Sequence, residues 1–306
     1  MVSTPIRSPR IDAHQHFWQL ARGDYAWLRE DVPALAPIRR DFAPVDLQPM
    51  LAAHGVVQTV LVQATDTEAE TEHMLTLASA HDFIGGVVGW VDLSRVDAVD
   101  TLARWAADPA CRKLKGVRPM LQDLPDAQWI DTRTDANAVR ALLRHGLRFD
   151  ALVQPWHLKA LLAFVRRWPE LPVVIDHAAK PQLARGWAGP DAGWVADWRH
   201  GLAELARCPN VHCKLSGLLT EASGSARAGG DAGREALQPV CDLLLEHFGP
   251  ARLMWGSDWP VLNLAADYAE WVRLSDALLA PLNSHERAAV LHDNAQRFYG
   301  LTRGAS

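Results

Sequence analysis

Hydrophobic positions in this chain fall into short runs that alternate, from one end to the other, with longer segments of helical spacing. Eight runs read as strands: Arg10–Ala13, Gln58–Gln63, Ile84–Trp90, Leu114–Val117, Phe149–Val153, Val173–Asp176, His212–Leu215 and Arg252–Trp255. Each is short and rich in Val, Ile, Leu or aromatic residues, the pattern of strands covered on both faces. Between them the spacing predicts helices. Val45–His54 ends at Gly55, Glu68–His81 gathers Met74, Leu75, Leu77 and Ala78 in one stripe, and Asp135–His145 gathers Val139, Leu142 and Leu143 before Gly146. Further helices are predicted over His157–Trp168, Trp194–Arg207, Arg234–His247 and Ala266–Leu279, with a final pair at Ser284–His292 and Asn294–Tyr299. A glycine just past the last apolar position marks a helix end because it adopts the left-handed conformation without steric cost.

Strand–helix alternation predicts a parallel sheet, and eight units predict closure into a single-domain (β/α)8 TIM barrel spanning about residues 10–300, with its active site at the C-terminal ends of the strands. An open doubly wound sheet normally carries a glycine-rich phosphate turn after its first strand, and none follows here. Two connections exceed a minimal turn. Phe17–Ala43 follows strand one and contains Trp and Pro, while Thr220–Gly233 follows strand seven, is rich in Gly, Ala and Ser, and reads as a mobile loop.

Composition narrows the function class. The net charge is −5 with the charges scattered, so there is no basic footprint for nucleic acid. No apolar stretch approaches the roughly 20 residues that span a bilayer, and the N-terminus has no basic segment followed by an apolar one. Cys111, Cys208, Cys213 and Cys241 form no C-x-x-C pair, which fits buried thiols in a reducing compartment. A cytoplasmic protein acting on a small molecule is the expectation. Thirteen tryptophans against three tyrosines stand out. Most belong in the core, but a few can lie over the apolar face of a sugar.

The chemistry-bearing residues cluster at strand ends. In Asp12-Ala-His-Gln-His16, alternate residues of an extended chain point the same way, so His14 and His16 both aim into the barrel mouth. Two imidazoles there can bind a divalent metal or hydrogen-bond a polarised carbonyl. Strand six runs into His177, and strand eight into Gly256-Ser-Asp-Trp-Pro260, so His177 and Asp258 reach the same face. A carboxylate beside several histidines can serve as a metal ligand or as a general base toward water. Lys115 and Arg118 follow strand four and read as cations near a substrate carbonyl or carboxylate. Gln63 and His157 read as hydrogen-bond partners for substrate hydroxyls, and Trp27 as a platform for a sugar face. The histidines at 54, 73, 81, 145, 247, 285 and 292 fall on helices or their ends, away from the mouth.

Three of these segments, Ile11-Asp-Ala-His-Gln-His16, Val174-Ile-Asp-His177 and Trp255-Gly-Ser-Asp-Trp-Pro260, resemble the amidohydrolase superfamily in its amidohydrolase-2 type. Asp24-Tyr-Ala-Trp-Leu28, Leu114-Lys-Gly-Val-Arg-Pro-Met-Leu-Gln122 and Leu152-Val-Gln-Pro-Trp-His157 are similar to its sugar-lactonase branch. The resemblance implies opening of a sugar-acid lactone, L-fucono-1,5-lactone or a close aldonolactone, with Asp258 activating water and His14, His16 and His177 polarising the carbonyl. It also implies that those four residues would be the ligands of a metal. Many relatives place a further histidine ligand at the end of strand five, where this chain reads Leu152-Val153-Gln154. Glutamine is a poor zinc ligand, so a binuclear site is not expected. Either one weakly held divalent ion, zinc first, or none is. The rival readings are a metal-dependent amidohydrolase or decarboxylase, a muconolactone-type hydrolase, and a barrel that binds a sugar acid without turnover.

Overall fold

Eight parallel strands, each paired with the next in chain order, make the sheet of the computed structural model. They are β1 Arg10–Gln15, β2 Val56–Val62, β3 Ile84–Gly89, β4 Leu114–Val117, β5 Arg148–Ala151, β6 Val173–Ile175, β7 Val211–Leu215 and β8 Leu253–Trp255. The structure describes residues 9–302 apart from 188, 190 and 192. The first eight residues, on which the absence of a leader pattern partly rests, lie outside them. The ring closes where the segment after β8 meets β1: Asp258 N–H donates to the His14 carbonyl (2.8 Å) and His16 N–H to the Trp259 carbonyl (2.7 Å). This seam fixes Asp258 beside the two histidines of β1.

Helices cover the outside: α1 Pro44–His54, α2 Glu68–Ala80, α3 Ala98–Ala107, α4 Ala136–Arg144, α5 Leu158–Arg167, α6 Gly193–Ala206, α7 Gly230–Phe248, α8 Tyr268–Leu278, α9 Ser284–Ala288 and α10 Asn294–Tyr299. Strand parity sorts the core into two bodies. Val60, Val62, Val88, Val174 and Met254 join Ile11 and Ala13 in a cluster inside the ring, closed from below by Phe298, Tyr299 and Leu301. Their strand neighbours Leu61, Val87, Val173, Ile175 and Trp255 pack outward in the larger cluster with the helices. The period-two alternation of a strand produces this division directly.

Two elements depart from the sequence reading. Helix α3 lies in a stretch assigned no element, although Ala98, Leu102 and Trp105 bury one face of it behind Asp97. Thr220–Gly233, read as a mobile loop, is largely helical: the single turns Leu218–Glu221 and Gly224–Arg227 reach into or lie in it, and α7 already begins at Gly230. Leu218, Leu219 and Ala222 are buried there, which anchors the segment.

The long first connection folds back over the mouth. A bridge between Trp18 and Phe42 draws its ends together. Its tip is tied to the β2–α2 loop: Trp27 Nε1 donates to the Ala64 carbonyl (2.7 Å) and Thr65 Oγ1 to the Asp24 carbonyl (2.7 Å). That loop hangs on Glu70, fully buried in the first turn of α2, whose Oε2 accepts from the N–H groups of Ala64 (3.0 Å) and Thr65 (2.8 Å). Burial outweighs these bonds and pushes the Glu70 carboxyl up to about 7. The folded protein therefore holds a proton that the unfolded chain releases between about pH 4.5 and 7, and stability falls as pH rises through that window. Glu70→Gln keeps an acceptor for both N–H groups and removes the titration. Denaturant melts at pH 5 and pH 8 are expected to show the wild type losing up to about 3 kcal/mol more than the variant across this window. Equal losses would remove Glu70 from the account.

Candidate active site at the strand ends

The seam and the strand ends bring together His14, His16, His177 and Asp258, all buried. His16 Nε2 lies 3.2 Å from Asp258 Oδ1, His14 Nε2 3.7 Å and His177 Nε2 3.8 Å from the same oxygen. His16 Nδ1 is 2.7 Å from the Val62 carbonyl, so Nδ1 carries a proton and donates it there, which orients Nε2 toward Asp258. His177 Nδ1 is held by Ser216 Oγ at 2.9 Å. Burial lowers the His177 imidazole to about 4, against the pull of Asp258 and Asp176, and lowers His14 well below its ordinary value. Both rings are neutral near pH 7. Burial alone would raise the Asp258 carboxyl, but the three histidines overcome it and hold Asp258 well below the usual carboxylate range. Asp258 is thus an ionised carboxylate beside the neutral rings of His14 and His177.

Local backbone geometry aims these groups. After β6 the chain makes a left-handed turn, with φ of 51°, 50°, 58° and 51° at His177, Ala178, Ala179 and Lys180. Each such residue costs roughly 1–2 kcal/mol. Trp198 Nε1 bonded to the Ala178 carbonyl (2.7 Å) and Lys180 N–H bonded to the His177 carbonyl (2.8 Å) hold it. Gly217, at φ 64°, leaves room for the His177 ring, since a Cβ there would fall 2.4 Å from Nδ1.

Below the histidines lies a buried ionic floor. Lys214 on β7, fully inaccessible, pairs with Asp150 (2.6 Å) and Asp176 (3.0 Å), and its Nζ is 3.2 Å from His14 Nδ1. Tyr299 from α10 donates to Asp150 (2.7 Å). Arg118 Nη1 reaches Asp176 Oδ2 at 3.4 Å and lies 3.3 Å from His14 Nε2. Burial would raise Asp176, but Lys214, His14 and Arg118 hold it well below its ordinary value, whereas Asp150 is pushed up to about 6 by burial against the pull of Lys214.

The mouth opens into a cavity of about 290 Å³ whose polar wall carries His16, Arg118, His177, Lys180 and Asp258, with Gln122 and Asp123 also lining it. Trp27, Ala64, Met120, Leu152 and Val261 supply the apolar lining. This volume lies at the low end of small-ligand sites, about 300–1,000 Å³. Among the residues read from the sequence, Trp27, Arg118, His16, His177 and Asp258 line the cavity, with His14 directly beneath. Lys115 does not. Its side chain packs near Gly86 and Leu301 at the opposite end of the barrel, because it sits early in β4 while Arg118 lies just past the strand's end. Gln63 is buried, donating Nε2 to the Arg118 carbonyl (2.7 Å) and accepting from Arg118 Nη2 at its own carbonyl, so it braces Arg118. His157 accepts the Gln154 N–H (2.9 Å) and stands outside the cavity lining. The residue facing the cavity from the end of β5 is Leu152, and Gln154 caps the short turn after it. Lys180 and Lys214 are functional-site residues that the sequence reading does not single out. The signal for Lys214 is a lysine between the apolar Cys213 and Leu215 of a short buried strand.

The donor set suits one divalent ion. Ligand atoms of His14, His177 and Asp258 lie within 4.8 Å of one another. His16 Nε2 also faces the Asp258 oxygen at 3.2 Å, a contact that a cation or shared proton stabilises. Three nitrogens and one carboxylate form a zinc-type set. The apolar Leu152 at the end of β5 offers no ligand for a second ion.

A closed parallel barrel with histidines and an aspartate at its mouth defines a hydrolase of the amidohydrolase class. Residues 11–301 match the amidohydrolase family model, and the chain belongs to that family. It is 46% identical over 301 residues to an L-fucono-1,5-lactonase of Burkholderia ambifaria, covering 96% of each chain. It is 38% identical over 298 residues to an L-fucono-1,5-lactonase of Burkholderia multivorans, covering 97% of each. Among solved structures, an amidohydrolase of Burkholderia multivorans with bound zinc superposes with a TM-score of 0.84 at 37% identity, over 96% of this chain and 100% of that one.

Proposed function

We propose that this protein hydrolyses a sugar-acid lactone, L-fucono-1,5-lactone or a close aldonolactone, to the free acid. The observation that carries this reading is the ionised Asp258, set among three histidines on the wall of a small cavity that Trp27 also lines. The two lactonases that match over nearly the whole chain support the substrate class. Asp258 takes a proton from water as its oxygen bonds to the lactone carbonyl carbon. The oxyanion that forms is stabilised by polar hydrogens on the cavity wall, with Arg118 supplying positive charge held in place by Asp176 and Gln63. Collapse breaks the bond between that carbon and the ring oxygen, which takes up the proton held by Asp258. The product acid then ionises to carboxylate and a solvent proton. Where a divalent ion is bound by His14, His16, His177 and Asp258, it would supply Lewis acidity toward the carbonyl.

Acid release from a panel of aldonolactones, followed with and without prior chelation, tests this function. Hydrolysis of L-fucono-1,5-lactone at the highest kcat/KM in the panel is the expected result, and the chelated sample reports what an ion adds. Absence of turnover on every lactone, with zinc or manganese supplied, would reject it.

A further inference from the structure

We infer that Lys180 is the anion-binding residue of the cavity, receiving the carboxylate that ring opening creates. This rests on the lactonase reading for the source of the carboxylate. Lys180 and His177 stand three residues apart on the left-handed turn, and in a turn of three residues per repeat such positions project to the same side. Both line the cavity. The other cation in that lining, Arg118, is committed to Asp176 and to the Gln63 carbonyl. Lys180 makes no ion pair within 4.0 Å among the described residues. The groups that interact with it electrostatically include Glu221, whose carboxyl burial raises while Lys180 draws it back, and the His177 ring, whose protonated form Lys180 opposes. A strained turn that presents an unpaired ammonium to a small cavity is poorly explained by a neutral substrate. A neutral lactone that becomes an anion on the enzyme accounts for it. An ammonium there favours the charged product and the late transition state over the neutral lactone.

The experiment is calorimetric titration of L-fuconate into wild type, Lys180→Met and Lys180→Arg, at two salt concentrations, with KM for L-fucono-1,5-lactone measured alongside. Thermal melts confirm that the variants are folded. The expected result is a Kd for L-fuconate at least 10-fold weaker in Lys180→Met, a smaller change in lactone KM, and recovery to within a few-fold in Lys180→Arg. Added salt should weaken wild-type binding more than that of Lys180→Met. Equal Kd values in wild type and Lys180→Met, or no L-fuconate binding by wild type, would overturn the assignment. If wild type turns over no lactone but L-fuconate binding still depends on Lys180, the proposed reaction falls and the anion site stands.

Discussion

Asp258→Asn is expected to lower kcat by at least 1,000-fold, on the order of 4 kcal/mol in the barrier, while the protein stays folded. The reasons are local. Asp258 has φ of 60°, a left-handed conformation that asparagine tolerates well, and its N–H bond to the His14 carbonyl belongs to the backbone and survives. Shape and packing are conserved. What is lost is the ionised oxygen 3.2 Å from His16, the group proposed to accept the proton of water. The same change weakens any ion held by His14 and His177, so zinc content is measured beside kcat. A fall of less than 10-fold with the fold intact would remove Asp258 from the role of base.

Lys214→Met is expected to have the largest effect on stability. It leaves Asp150 and Asp176, both fully buried, without the cation that lies 2.6 Å and 3.0 Å from them. Removing one partner of a buried pair costs roughly 3–5 kcal/mol, because the remaining charge is neither solvated nor compensated. Arg118 still faces Asp176, so Asp150 carries most of the loss. Adding Asp150→Asn to Lys214→Met should recover a good part of the stability, since the amide needs no counter-charge and keeps an acceptor for Tyr299. Denaturant unfolding of the single and double variants checks this. A single variant within 1 kcal/mol of wild type would show that the floor is not an energetic unit.

Much of this was legible in short motifs at strand ends. His14 and His16 share a side because a strand alternates, and His177 and Asp258 follow directly on apolar runs, so the mouth could be assembled on paper. Lys115 and Arg118 show the limit of that reasoning. They are three residues apart, yet one lies near the bottom of the barrel and the other at its mouth, because β4 is only four residues long and where it begins decides which is which. The end of β5 misled in the same way. Counting to Gln154 overshot by two residues, and Leu152 is the side chain that faces the cavity. Lys180 was hidden for a different reason: four consecutive non-glycine residues at positive φ have no sequence signature, and the turn is held by the distant Trp198. Gln63 and His157 stand outside the cavity lining: Gln63 Nε2 donates to the Arg118 carbonyl, and His157 Nδ1 accepts from the backbone of Gln154.

The central proposal is that Asp258, ionised beside the neutral rings of His14 and His177, opens a sugar lactone. The most direct measurement is the initial rate of acid release from L-fucono-1,5-lactone by wild type and Asp258→Asn, side by side at the same metal content. The account predicts rapid turnover by the wild type and a variant close to the uncatalysed rate. Comparable rates for the two proteins, or no acid release by the wild type, would contradict it.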